Sequence, residues 1–167
     1  MSRDPGLELR IEEARSFADY LFLRTLRNQV RHVMTNDTSS IGYLGQIKFY
    51  VAARCGFKRM RNSRIYIARH RSRPVGYLLI RRTPDGALLT TAIDGDFRRR
   101  GIGKQLVDFA QRSCGHLIAE IRDDNVASIA LHESMGFRRE LHRNGILLYR
   151  FRHQDTTAPL RSPACAS

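Results

Sequence analysis

The sequence predicts an α/β domain folded around a mixed sheet with helices on its faces. Three strand-like runs, residues 64–69, 75–81 and 87–94, follow one another across short connections that contain Arg73-Pro74 and Pro84-Asp85-Gly86. That is the pattern of antiparallel hairpins. After them strand and helix alternate, as in α/β proteins. A chain of 167 residues buries enough surface for one domain to fold unaided.

The elements follow in order. Residues 7–11 alternate enough for a first strand. From about Glu12 the pattern turns helical, with Phe17, Leu21, Leu26, Val30 and Val33 at spacings near 3.6. Residues 35–40, Thr-Asn-Asp-Thr-Ser-Ser, form a polar loop whose end can cap a second helix over 41–53. A basic loop around Lys58, Arg59 and Arg61 comes next. Ile65, Tyr66 and Ile67 are good strand formers. The Pro84-Asp85-Gly86 turn sets 87–94 antiparallel to 75–81. A helix opens at Gly101 and runs to about Ser113, a strand covers 117–122, a helix 127–134, and a last strand 146–152. The order is β-α-α-β-β-β-α-β-α-β. Residues 1–153 read as one domain. Residues 154–167, rich in Thr, Ala, Pro and Ser, read as a disordered tail.

Composition narrows the class of partner. Lys and Arg total 29 against 16 acidic residues, a formal net charge of +13. This favours anionic partners: a nucleotide-bearing cofactor, an acidic substrate or nucleic acid. Much of the charge also suits a solvated surface. No stretch approaches the roughly 20 apolar residues of a membrane helix, and the start lacks the layout of a secretion signal, so a cytoplasmic protein without membrane contact is expected. Cys55, Cys114 and Cys165 have neither metal nor redox spacing. Cys114 is expected in the core, none of the three as a nucleophile, and no metal site is expected.

The segment 96–104, Asp-Phe-Arg-Arg-Arg-Gly-Ile-Gly-Lys, lies between a strand and a helix. Glycines let the backbone approach a ligand closely. The first amides of a helix lack intrahelical partners, and with the helix dipole they bind phosphate. Arg98, Arg99, Arg100 and Lys104 add charge-assisted contacts, so a pyrophosphate is expected here. A dinucleotide-binding loop needs a third glycine, and position 106 is Leu106. The alternative is a tight turn with solvated arginines.

Arg98-x-x-Gly101-x-Gly103 resembles the coenzyme A pyrophosphate motif of the GNAT (GCN5-related) N-acetyltransferases. A second segment, from Leu117 through Glu120, Asn125 and His132 to Gly136-Phe137, resembles that family's second cofactor-binding unit, which reads strand, Asn, helix, Gly-Phe. The likeness is nearest to the ribosomal-protein alanine acetyltransferases and to small-amine acetyltransferases, and it is good over about 75–151. It implies a mostly antiparallel sheet splayed between the fourth and fifth strands, and acetyl-CoA as acetyl donor. It also implies backbone contacts from Thr91, Ala92 and Ile93 to the pantetheine arm, and amides of Arg99, Arg100, Gly101, Ile102, Gly103 and Lys104 facing the pyrophosphate. Gly95 stands where many members have proline.

Acetyl transfer to an amine requires that the ammonium lose a proton before attack, and a carboxylate can take it. The resemblance puts the family's strand carboxylate at Glu120; otherwise Glu120 is a strand-edge residue paired with Arg122 or another Arg. The family usually has tyrosine seven residues after the Asn, where this chain has His132. That makes His132 the expected acid, or else a residue that packs the helix or contacts the cofactor. Asn125 is expected to bond the pantetheine amides, to cap the turn, or both.

Acceptor specificity is expected from the first helices, the loop between them and the hairpin at 81–86, with Arg24, Asn28 and Tyr43 as pocket residues. A basic pocket favours an anionic amine such as a nucleotide-linked amino sugar. A protein N-terminus or an aminoacyl-tRNA is the alternative acceptor. A nucleic-acid-binding protein has only the charge in its favour, and a non-catalytic coenzyme A sensor also remains open. The partner is thus a small-molecule or peptide amine, and the assembly a monomer or homodimer.

Overall fold

The computed structural model describes residues 8–35, 40–54 and 62–153. Its strands are β1 (Arg10–Glu13), β2 (Ser63–His70), β3 (Arg73–Thr83), β4 (Gly86–Ile93), β5 (His116–Arg122), β6 (Arg138–Arg143) and β7 (Ile146–Arg152). Its helices are α1 (Phe17–Gln29), α2 (Tyr43–Arg54), α3 (Ile102–Ser113) and α4 (Val126–Ser134). The strands form one sheet in the order β1-β2-β3-β4-β5-β7-β6. Only β4 and β5 pair in parallel; the other neighbours are antiparallel. This is the mixed, mostly antiparallel sheet expected from the sequence.

Each face of the sheet carries its own core. On one, Ile102, Leu106, Val107 and Ala110 recur along α3 at helical spacing and pack on Leu89, Leu117, Ala119 and Ile121. Partly buried Cys114 packs against the same cluster, as expected. On the other face Tyr20, Leu23 and Leu26 of α1 meet Ile65, Ile67, Tyr77 and Ala92. Each fully buried aliphatic side chain contributes about 1.5–3 kcal/mol relative to exposure, so the two layers hold both helices to the sheet.

The N-terminal boundary differs from the sequence reading. Glu12 and Glu13 belong to β1, paired with Ile67 and Tyr66, and the helix starts only at Phe17. The cause is a capping box. The Ser16 hydroxyl accepts from Asp19 N at 3.1 Å, and the Asp19 carboxylate accepts from Ser16 N and Arg15 N at 3.0 Å each. Asp19, 6% exposed, also pairs with Arg69 of β2, which ties the helix start to the sheet. Val33 falls in a short 3-10 turn over Arg31–Val33 rather than in α1.

β6 is absent from the sequence reading. Its residues, Arg-Arg-Glu-Leu-His-Arg, are all exposed and lack apolar alternation. Charge along an outer edge strand also discourages pairing with other chains. The usable signal was Asn144-Gly145, whose φ values of 51° and 72° suit the tight turn of a two-residue hairpin. Leu7, most of the polar loop, Cys55, the basic loop around Lys58, Cys165 and the expected tail at 154–167 lie outside the described residues.

Burial alone would raise the Asp19 pKa, but the amides of Ser16 and Arg15, the Ser16 hydroxyl and Arg69 together hold it below the usual value. Asp19→Ala is expected to cost about 2–4 kcal/mol in urea denaturation at pH 7. A depressed carboxylate stabilises the fold above its unfolded pKa, near 3.9, and that contribution is lost as pH falls through the folded value. The gap between wild type and variant therefore narrows below about pH 4.

Candidate functional site

The site starts from the parallel pair. β4 and β5 are joined over only Ala87↔Leu117 and Leu88↔Ile118. At the base they come close: Gly86 has φ of 139°, and a Cβ there would stand 3.3 Å from Ile118 Cδ1 and 3.4 Å from the His116 carbonyl. Beyond Leu88 the ladder ends. β4 stays bonded to β3 as far as Gly76↔Ile93, so its other edge opens onto a cleft of about 1530 Å³ that residues 89–93 and 119–121 border. Gly103 also borders the cleft, and a Cβ there would stand 3.0 Å from Leu131 Cδ2 and 3.3 Å from Ile93 Cδ1. α3, α4 and β4 converge on that missing side chain.

The turn from β4 into α3 is tightly organised. Asp94 accepts from Asp96 N at 3.2 Å, and Phe97 N donates to the Asp94 carbonyl at 2.9 Å. The Arg73 and Arg100 guanidiniums lie 4.9 and 5.3 Å from the centre of the Phe97 ring. Arg99 and Gly101 adopt left-handed φ of 59° and 78°. For Arg99 this costs about 1–2 kcal/mol, the kind of backbone strain that clusters at ligand sites. Gly101 is the N-cap of α3, no side chain caps the helix, and a Cβ on Gly101 would meet nothing within 4 Å. The helix start is therefore open to an approaching anion, with exposed Arg98, Arg99, Arg100 and Lys104 around it. Gly95 also has open space where a Cβ would stand, so its difference from proline removes no contact.

Every residue expected to meet the cofactor borders this one cleft: Thr91, Ala92 and Ile93 from β4, residues 98–104 from the turn, and Asn125 ahead of α4. Glu120 and His132 border it too. Glu120 points to the face opposite Ala119 and Ile121, both of which lie in the core beneath α3. Its expected partner Arg122 forks onto Asp124 at 3.0 and 2.7 Å. Asn125 caps α4, accepting from Ser128 N at 3.2 Å. Gly136, φ 81°, ends that helix, with Phe137 N on the His132 carbonyl at 3.0 Å and Gly136 N on that of Glu133 at 3.1 Å. This returns Phe137 to the core at 3% exposure.

His132 is 3% exposed, with its ring edge-to-face on Phe137 at 5.0 Å. Nδ1 lies 2.8 Å from the Ser128 carbonyl, and Nε2 is buried with no partner among the described residues. Burial holds its pKa below the ordinary 6.5, although the Ser128 carbonyl pulls the other way. At neutral pH the ring is therefore uncharged. Its one proton sits on Nδ1, which the carbonyl requires, and Nε2 presents a lone pair. An imidazole in this state accepts a hydrogen bond and holds no spare proton, which counts against the acid role expected from the sequence.

Arg24, Asn28 and Tyr43 do not border the cleft. Arg24 Nε and Asn28 Nδ2 donate to the Ile41 carbonyl at 2.8 and 3.1 Å, and Ile41 N donates back to Asn28 Oδ1 at 2.9 Å. Tyr43 is 52% exposed and packs against Phe17. The trio anchors the chain entering α2. From the same region the cleft is bordered instead by Leu23 and Arg27 of α1, by Val30 just after that helix, and by Gln46 and Phe49 of α2, with Tyr77, Leu79 and Arg81 of β3. One signal was readable: Gln46 shares a helical face with Phe49 and Tyr50, a polar residue on an apolar stripe.

The acetyltransferase (GNAT) family model matches residues 27–137. The chain belongs to the GNAT acetyltransferase family. A [ribosomal protein bS18]-alanine N-acetyltransferase of Salmonella typhimurium is 34% identical over 76 residues, 42% of this chain and 51% of that protein. The chain thus spans about half the length of the curated relatives it matches. Among solved structures, the ribosomal-protein-alanine N-acetyltransferase of Brucella melitensis superposes with a TM-score of 0.68 at 20% identity, over 86% of this chain and 99% of that one. The spermidine N-acetyltransferase of Vibrio cholerae, in complex with CoA and spermine, gives a TM-score of 0.72 at 13% identity, over 86% and 95%. At these identities the two structures show the GNAT fold.

Two predictions follow from the GNAT cleft's geometry. In NMR titration His132 should titrate below its ordinary value and carry its proton on Nδ1 at pH 7. Gly103→Ala should cost about 1–3 kcal/mol through overpacking against Leu131 and Ile93, measured by chemical denaturation, whereas Gly95→Ala should fall within about 0.5 kcal/mol of wild type.

Proposed function

We propose that the protein transfers an acetyl group from acetyl-CoA to the α-amino group of a polypeptide. The observation that carries this reading is the convergence on one cleft of an uncapped helix start ringed by arginines, an open strand edge and a carboxylate. The likeness to a [ribosomal protein bS18]-alanine N-acetyltransferase supports the acceptor class. The residues fit the donor: the turn at 98–104 offers amides and cations for a pyrophosphate, and the β4 edge at 91–93 offers backbone groups for an extended amide-bearing arm. When bound, acetyl-CoA supplies an acetyl thioester whose carbonyl carbon the amine attacks and whose thiolate departs.

Glu120 takes the proton from the incoming ammonium, directly or through a water. His132, neutral, accepts a hydrogen bond at Nε2 and so positions the donor. No helix among the described residues is long and apolar enough to cross a membrane. An anionic acceptor is the second reading. Arg27 and Arg81 favour it, for both border the cleft on the side of α1 and α2.

Release of coenzyme A should be read with a thiol reagent against a panel of amines. Peptides with a free N-terminus should be turned over faster than nucleotide-linked amino sugars. Glu120→Gln is expected to lower kcat by about 10²–10⁴-fold, with acetyl-CoA affinity nearly unchanged; a loss of less than a few-fold removes Glu120 as the base. Gly101→Glu should abolish the rise in Tm that acetyl-CoA gives wild type, by placing a carboxylate at the phosphate turn.

His132→Phe should raise KM for acetyl-CoA roughly tenfold, the worth of about one hydrogen bond, and leave kcat within a few-fold. With the imidazole neutral, the wild-type rate should fall on the acid side of neutrality and hold on the alkaline side. An alkaline fall that disappears in His132→Tyr would restore the acid role.

A further inference from the structure

Gln46 sits on α2 at 0% exposure, and neither its Nε2 nor its Oε1 has a hydrogen-bond partner among the described residues. It borders the cleft on the α1 and α2 side, away from the phosphate turn, in company with Leu23, Val30, Phe49, Ile65 and Tyr77. An apolar residue of this size would suit those neighbours better, because leaving a buried donor and acceptor unmet is costly. A carboxamide kept there at that cost needs a ligand that offers one acceptor and one donor side by side. The second residue of an extended peptide does this, because its own N–H and C=O point to the same side: the C=O accepts from the Gln46 NH₂, and the N–H, which belongs to the first peptide bond, donates to Gln46 Oε1.

We propose that Gln46 is a specificity residue that reads the backbone N–H and C=O of the acceptor's second residue, the N–H of the first peptide bond included, and so admits polypeptide N-termini over simple amines and aminoacyl esters. The inference rests on the acetyl-transfer reading above and deepens its acceptor side. The apolar neighbours exclude water from this contact and so strengthen it. Tyr77 borders the same cleft, its phenol pushed up to about 12 by burial despite the nearby Arg27. It therefore remains a protonated donor that suits a carbonyl and does not compete as a base. An ester in place of the first peptide bond keeps the carbonyl but lacks the N–H, leaving Gln46 Oε1 unmet. A site built around a polar group rejects analogues that leave that group unpaired.

The test compares wild type with Gln46→Leu on three acceptors: an alanyl peptide, the same peptide with an ester for its first amide, and an alkyl amine of similar bulk. Binding of each is measured by calorimetry, alongside thiol release. Wild type should favour the peptide over the ester by about 10-fold or more in Kd and kcat/KM. Gln46→Leu should reduce that preference to within a few-fold and leave the alkyl amine and the acetyl-CoA thermal shift unchanged. It should also raise the Tm of the free protein by about 2–4 °C, because the unmet carboxamide is gone, whereas a structural glutamine would give a fall. Equal peptide and ester affinity in wild type, or a lowered Tm with the preference intact, overturns the proposal. Absence of turnover with every amine, together with the expected binding differences, would remove the acetyl-transfer reading and leave the peptide-reading role of Gln46 standing.

Discussion

The parting of β4 from β5 is the constraint on which the rest of the site depends. Two parallel strands normally continue pairing, because each unmet backbone group costs free energy. Here they bond over two residue pairs and separate. β4 remains held by β3 along its whole length, and β5 by β7, so each strand can leave the other without losing its place in the sheet. A sheet interrupted in its middle exposes a strand edge at the centre of the fold, where it is reached from both layers of helices.

The glycines around this opening do different work. At Gly86 the missing side chain lets the two strands come together at the base. At Gly103 it lets α3 settle against Leu131 and Ile93. At Gly101 the surrounding space is open and the backbone turns left-handed, so that position serves conformation and access. The sequence reading treated Gly101 and Gly103 as one phosphate-cradling pair. The geometry separates them into one residue that shapes the approach and one that packs α3 against α4 and β4.

The part of the cleft proposed to hold the donor was legible in the sequence because its physics is local. A strand end, a turn with two glycines, a cluster of arginines and a helix start lie within one short run, and Asn125 to Phe137 forms a second such run. The part proposed to hold the acceptor was not legible in that way. It is assembled from α1, α2 and β3, far apart in the chain, and its polar members are single residues among apolar ones. Arg24, Asn28 and Tyr43 have residue types that suit a pocket and lie on helices that border the cleft. The structure uses them to hold the chain entering α2, and turns Arg27 and Gln46 of the same elements toward the cleft instead. β6 escaped for a related reason: a fully exposed edge strand has no buried face to impose an alternating pattern, and only its Asn-Gly turn speaks for it.

Three buried polar atoms without partners stand out among the described residues, and they belong to two side chains, His132 and Gln46. Both border the same cleft, His132 from α4 and Gln46 from α2. Unmet polar atoms scattered at random would mark a poorly packed core, but the layers around α1 and α3 are tightly closed. A sequence that satisfies its local rules elsewhere and breaks them at one place marks that place as functional. The two atoms of Gln46 ask for a partner that both donates and accepts, and the lone pair of His132 asks for a donor. These requirements lie in different layers of the fold, which fits a cleft that receives two molecules from opposite sides of the sheet and brings them together where β4 and β5 part.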